Sequence, residues 1–262
     1  MLRTRVLSAI VMIPVVAGAL YLGGWWFTAA ILLVAGLAAS EFYTLLREAN
    51  LSANRFLGWG MIATFILAAM QMSWKPWLDF AFTFLLLLSL VWHMLQKDRA
   101  APGNDWVATV AGTLYFGWLG SRFVALRMLP DGLWWVALAL LSTWITDSGA
   151  YFVGRRWGRR KLAPRLSPKK TWEGAIGGWI VGVALTPLVA WAFGLPPLHG
   201  LIVGALVATV APFGDLAESM FKRQVSAKDS SNLIPGHGGM LDRIDSLLFV
   251  VPIVYYYVVL IV

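Results

Sequence analysis

Cysteine is absent from the chain, which excludes a disulfide framework, a thiolate metal site and a cysteine nucleophile. Charged residues are scarce too, at 13% of 262 residues against about 25% in soluble domains. With 59% of its residues hydrophobic, the chain has too little polar surface to coat a water-soluble body. It reads as an all-α, polytopic integral membrane protein. Fixed-period repeats and low-complexity linkers are also missing, so one folded unit is expected.

Apolar segments near the roughly 20 residues a bilayer requires fall at 6–22, 25–39, 56–72, 77–95, 106–119, 134–151, 174–193, 201–213 and 246–262. About nine transmembrane helices are therefore expected. The second, fifth and eighth segments are short, which leaves room for eight spans and a re-entrant or interfacial helix. Arg3 and Arg5 precede the first run as in a signal peptide, but a second apolar run follows Gly23 and Gly24. The pair reads as a signal-anchor hairpin.

If the amino terminus is cytoplasmic, eighteen of the 21 cationic residues fall inside and only Lys75, Arg122 and Arg127 outside, the asymmetry of the positive-inside rule. Both large polar loops then face the cytoplasm, and the expected location is the inner membrane of a bacterium. The net charge of +8 follows from this topology and from attraction to anionic lipid. Nucleic acid is not an expected partner. Trp25, Trp26, Trp74, Trp77, Trp106, Trp134, Trp135 and Trp172 lie near span ends, where interfacial anchoring accounts for them.

Ionisable residues inside apolar spans are few. Asp79 and His93 read as interfacial and His199 as a loop residue. Asp147 stands about 13 residues into the sixth segment with no basic residue in its own span, a costly position that marks a functional candidate. Its alternatives are snorkelling to the interface or a hydrogen bond to Thr143. Residues 154–161 form a run rich in arginine, suited to anionic headgroups. In the Ser167-Pro168-Lys169-Lys170-Thr171 segment, Ser167 can cap and Pro168 can start a helix whose free amides and two lysines face an anion.

Residues 219–245 concentrate the polar chemistry. On an expected helix over 214–224, Asp215, Glu218, Ser219 and Lys222 share one face. The plainer reading makes Glu218 and Lys222 a surface ion pair. A loop with Lys228 and Asp229 leads to Pro235-Gly236-His237-Gly238-Gly239, where glycines can take up positive φ and bring amides to an anion such as phosphate. Asp242 and Asp245 flank Arg243, and if the next helix has begun both carboxylates point the same way. Two such carboxylates suit Mg²⁺, a hard cation often shared with substrate phosphates.

This run, S-M-F-K-R, then K-D, then P-G-H-G-G-M-L-D-R-I-D, resembles the signature of the phosphatidate cytidylyltransferases (CDP-diacylglycerol synthases). T-D-S-G-A-Y-F-V-G around Asp147 and the S-P-K-K-T segment are similar to further stretches of that family. The resemblance implies transfer of a cytidylyl group from CTP to phosphatidic acid, giving CDP-diacylglycerol and pyrophosphate. It implies one or two Mg²⁺ ions held by Asp215, Asp242 and Asp245, with Asp147 as a further acid. Lys222 and Arg223 would offset charge on the pyrophosphate, joined by Lys228, Lys169 and Lys170. Ser167, Thr171, Ser219, Asp229, His237, Gly238, Gly239 and Arg243 would contact substrate. His237 reads as a phosphate-positioning donor or a packing residue. Residues 1–104 then form an N-terminal membrane region and 105–262 the catalytic membrane region; a homodimer stays open. A CTP-dependent polyprenol kinase and a membrane transporter are the alternatives. A CDP-alcohol phosphotransferase is set aside because its D-G-x-x-A-R motif is missing.

Overall fold

A computed structural model describes the chain except Met1, Gln71, Met72, Lys228, Asn232, Pro235 and His237, and for residues 2–9 it describes the helix without the side chains. Lys228 and His237, expected at the site, lie outside the described residues. The fold is mostly helical. Among the described residues six helical segments are long and apolar enough to cross a membrane, the last of them running over Leu241–Ile261, and each leaves large apolar side chains exposed, such as Phe80, Trp191 and Leu260. Lipid removes the cost that water would impose on such surfaces.

The chain divides into two compact units. The first comprises residues 1–128 and 224–244. It holds α1 (Leu2–Leu22), α2 (Gly24–Glu48), α3 (Arg55–Ala68), α4 (Lys75–Met94), α5 (Pro102–Gly112), a π-helical turn (Thr113–Trp118), α6 (Leu119–Arg127) and the single-turn α10 (Leu241–Ile244). α1 and α2 form the expected hairpin, with Gly23 at φ 64° in the turn. Arg127 closes it: its Nε donates to the Leu20 carbonyl at 2.8 Å, placing a cation at the end of α1. α2 runs nine residues past the expected end at 39 because Glu41 and Tyr43, polar as they are, are buried with partners. α3, at 14 residues, is shorter than the expected third span. The expected fifth span is not one α-helix but passes through the π turn, where Gly117 lies so close to α3 that a Cβ would meet the Ile62 Cα at 3.0 Å. His93 is buried, not interfacial, and its Nδ1 bonds to the Ser89 carbonyl at 2.8 Å.

The second unit comprises residues 129–223 and 245–262. It holds α7 (Gly132–Trp157), β1 (Lys161–Ala163), β2 (Ser167–Thr171), α8 (Trp172–Ala192), α9 (Pro197–Gln224, whose last residue belongs to the first unit) and α11 (Leu247–Ile261). Small residues bring α7 and α8 together, as helices in lipid require. A Cβ at Gly178 would lie 2.7 Å from the Thr146 carbonyl, and one at Gly149 would lie 2.8 Å from Val181. Trp135 is buried rather than interfacial. His199 begins α9 and bonds through Nδ1 to the Tyr257 hydroxyl at 2.6 Å, so it is a packing residue and not merely part of a loop.

Two local expectations fail. Ser167–Thr171 does not start a helix: it is a strand paired antiparallel with Lys161–Ala163. Pro168 is tolerated there because a two-stranded hairpin has edges needing no donor. The cap of α8 is instead Thr171, whose Oγ1 accepts from the Gly174 amide at 3.2 Å. The eighth span and the polar helix after it are one helix, α9, continuous through Pro212.

Candidate active site

In the second unit the acids come from separate elements. Asp147 lies on α7, Asp215 on α9 and Asp245 at the turn before α11. They are close enough for their charges to interact: Asp245 senses both Asp215 and Asp147. Gly214 makes this possible, since a Cβ there would lie 2.5 Å from the Asp245 carbonyl oxygen. The Thr143 hydroxyl donates to the Ala139 carbonyl, which removes it as the partner of Asp147.

Lysines balance the acids. Lys170 Nζ stands 2.9 Å from Asp215 Oδ2 and also acts on Asp147. Strand alternation turns Lys169 out to solvent and Lys170 inward, so the hairpin separates the two lysines that a helix would have kept together. The Asp215 face of α9 forms as its spacing predicts. Ser219 Oγ donates to Asp215 Oδ1 at 3.3 Å, and Lys222 pairs with Glu218. That pair is buried, so the surface reading of it fails. Lys222 also acts on Asp245. Arg223 is exposed, and its Nε donates to the Leu166 carbonyl at 3.2 Å, tying the end of α9 to the hairpin. Glu173 accepts from the Arg159 and Arg160 amides and closes the basic loop.

In the first unit the glycine-rich loop folds onto carboxylates of its own. Gly236 and Gly238 adopt positive φ, at 79° and 78°, as their positions predict. Asp242 Oδ2 accepts from the Gly239 amide at 2.7 Å and from the Ser230 amide and hydroxyl at 3.1 and 2.9 Å. A Cβ at Gly239 would collide with Ser230 and Glu41. Asp229 and Arg243 are exposed. α10 ends at Ile244, so no continuous helix carries Asp242 and Asp245 on one face.

Glu41 is the residue that sequence reasoning missed. Buried on α2, it accepts from the Ser230 and Ser231 hydroxyls at 2.8 and 2.6 Å and from the Met240 and Leu241 amides at 2.9 and 2.8 Å. Three donors given to Glu41 alone, and the one Ser230 hydroxyl proton shared with Asp242, fix both ends of the loop. An acid inside an apolar helix was the signal that singled out Asp147; ending the span at 39 hid it here.

The acids of the second unit carry hard oxygen donors, the chemistry Mg²⁺ prefers. Among the described residues no three acids or histidines converge as a ready-made cage. Mg²⁺ does not need one, because it keeps several waters and commonly takes one or two carboxylates plus substrate phosphates. The donor chemistry therefore fits.

A model of the cytidylyltransferase family matches residues 3–261. The phosphatidate cytidylyltransferase of Synechocystis sp. is 34% identical, over 98% of this chain and 96% of that protein. Those of Brucella suis and Pseudomonas aeruginosa are each 37% identical over 97% of this chain, and over 92% and 95% of their own lengths.

Proposed function

Since the chain belongs to the cytidylyltransferase family, we propose that it transfers the cytidylyl group of CTP to phosphatidic acid, releasing pyrophosphate and forming CDP-diacylglycerol. The observation that carries the site assignment is the meeting of Asp147, Asp215 and Asp245 with Lys170 and Lys222. A phosphate oxygen of phosphatidic acid bonds to the α-phosphorus of CTP. The bond from that phosphorus to the bridging oxygen breaks, and its electron pair leaves with pyrophosphate. Such transfers rely on positioning and charge neutralisation more than on covalent help.

Asp147, Asp215 and Asp245 are the residues that would hold Mg²⁺. When bound, Mg²⁺ would supply charge neutralisation where negative charge develops on the CTP phosphates. Lys170 and Lys222 supply the remaining positive charge, and Arg223 joins them at the end of α9. Asp242 is expected from the sequence as a further ligand; the donors on its Oδ2 support a bracing role for it in the loop as well. The charge asymmetry of the sequence supports cytoplasmic polar loops, and nine spans result if α1, α3 and the stretch 102–127 cross beside the six long apolar segments.

The test is the purified full chain incubated with CTP, phosphatidic acid and Mg²⁺. CDP-diacylglycerol and pyrophosphate are expected in equal amounts. Transfer of the γ-phosphoryl group to a polyprenol, with CDP as the by-product, would replace this reading with a lipid kinase.

A further inference from the structure

A cavity of about 370 Å³ in the first unit contains none of the acids assigned to catalysis. It opens between the loop joining α2 to α3 and the loop joining α4 to α5, and Arg47, Arg55 and Arg99 line it. Arg99 is already engaged: Nε and Nη2 grip the two oxygens of Asp105 at 2.8 and 3.2 Å, and Nη2 also reaches the Asn50 carbonyl. Asp105 further accepts from the Ser52 amide at 2.6 Å. That network fixes both loops and so fixes the walls of the cavity.

Arg47 and Arg55 differ from Arg99. Among the described residues neither makes an ion pair or a hydrogen bond, although Arg55 lies over the Phe56 ring at 5.2 Å. Arg47, in the last turn of α2, sits where the helix dipole favours a cation. Arg55 does not. It is the first residue of α3, at the positive end of that helix, and no acid stands in the first turn to offset it. The Phe56 ring is a modest local partner for Arg55, whereas an anion in the cavity would satisfy the charge of the arginine and the helix terminus together. Three arginines against Asp105 leave the cavity wall two charges positive. The same wall carries Phe56 and Trp92, both exposed.

We propose that this cavity is a binding site for a phosphate group, held by Arg47 and Arg55 at the end of the apolar helices of the first unit. The exposed aromatic rim favours a phosphate that arrives on a lipid; free phosphate is the other source of the same chemistry. The site is independent of the metal assignment above.

The test uses phosphatidylglycerol, a phosphodiester without the phosphate monoester on which the proposed reaction depends, so the two readings fail separately. A fluorescent phosphatidylglycerol is titrated against the full chain in detergent, with unlabelled phosphatidylglycerol, phosphatidylcholine and inorganic phosphate as competitors. R47Q/R55Q should weaken binding about tenfold or more, since each cation near a charged headgroup is worth about a factor of five, and R47K/R55K should largely restore it. Displacement by inorganic phosphate at matched concentration assigns the site to the phosphate alone. Displacement only by anionic lipid assigns it to the headgroup with its chains. Thr44 also lines the cavity, and in this cysteine-free chain a Thr44→Cys thiol should be shielded from maleimide by phosphatidylglycerol and not by phosphatidylcholine. Unchanged binding of both phosphatidylglycerol and phosphate by R47Q/R55Q, or a thiol at position 44 that no phosphate-bearing ligand shields, would overturn the proposal.

Discussion

Asp245 and Asp242 stand three residues apart in different surroundings. Asp245 lies among Asp147, Asp215 and Lys222, whereas Asp242 Oδ2 is occupied by the Ser230 and Gly239 donors. Asp245→Asn and Asp215→Asn should each lower turnover about a hundredfold or more, a loss in keeping with removed transition-state stabilisation of about 3 kcal/mol. They should also raise the Mg²⁺ concentration needed for half-maximal rate. Asp242→Asn should lower turnover without that shift; an equal rise in the Mg²⁺ requirement would return Asp242 to the ligand set. For His237, outside the described residues, the chemistry of the nucleophile sets the expectation. A phosphate monoester has a second pKa of about 6 and is already an oxyanion at neutral pH. His237→Asn should therefore keep much more activity than Asp245→Asn and retain the acidic limb of the rate profile. Loss as complete as that of Asp245→Asn, with CTP binding intact, would assign His237 to proton transfer.

Among the elements, α2 holds the loop over 230–241 through one buried carboxylate. Glu41→Gln keeps shape but replaces an oxygen acceptor with a donor facing donors, which should loosen the loop by about 2 kcal/mol or more. Faster hydrogen exchange confined to the loop, with total helix content unchanged, is the expected signature; uniform exchange across the chain would make Glu41 a general core residue. The Arg99–Asp105 fork joins two other loops. Desolvation pushes Asp105 up, but the Arg99 fork and the Ser52 amide outweigh it and hold the carboxyl below its ordinary value. A depressed folded-state pKa gives stability that is complete above the unfolded carboxylate value of about 3.9 and lost as pH falls through the folded one. Asp105→Asn should thus lower the melting temperature at pH 7, and the gap to the parent should close below about pH 4. A gap that persists undiminished in acid would show that the ionised carboxylate is not what stabilises.

At the scale of the whole molecule, eighteen cations on one side against three on the other set the expected orientation. Single cysteines placed near Lys161 and at Ser231 should react with impermeant maleimides only after the cytoplasmic face is opened. Labelling of either site in intact cells would reverse the topology.

Composition and periodicity sufficed for the helical membrane class, and the dense motif over 219–245 sufficed for the family, because burial in lipid and phosphate chemistry each impose local residue types. The Asp215, Glu218, Ser219, Lys222 face was legible for the same reason: helical spacing is a local property. Pro168 misled, since a proline that can start a helix can equally sit in an edge strand, and pairing with Lys161–Ala163 decides between them. Glu41 could not be matched to residues almost 200 positions away, because a buried carboxylate's partners are chosen by packing and not by spacing. The meeting of Asp147, Asp215 and Asp245 depended on the tertiary structure in the same way. It needs glycines thin enough to let α7 lie on α8 and the Asp245 turn lie on α9, and only close contact between distant segments reveals which glycines those are.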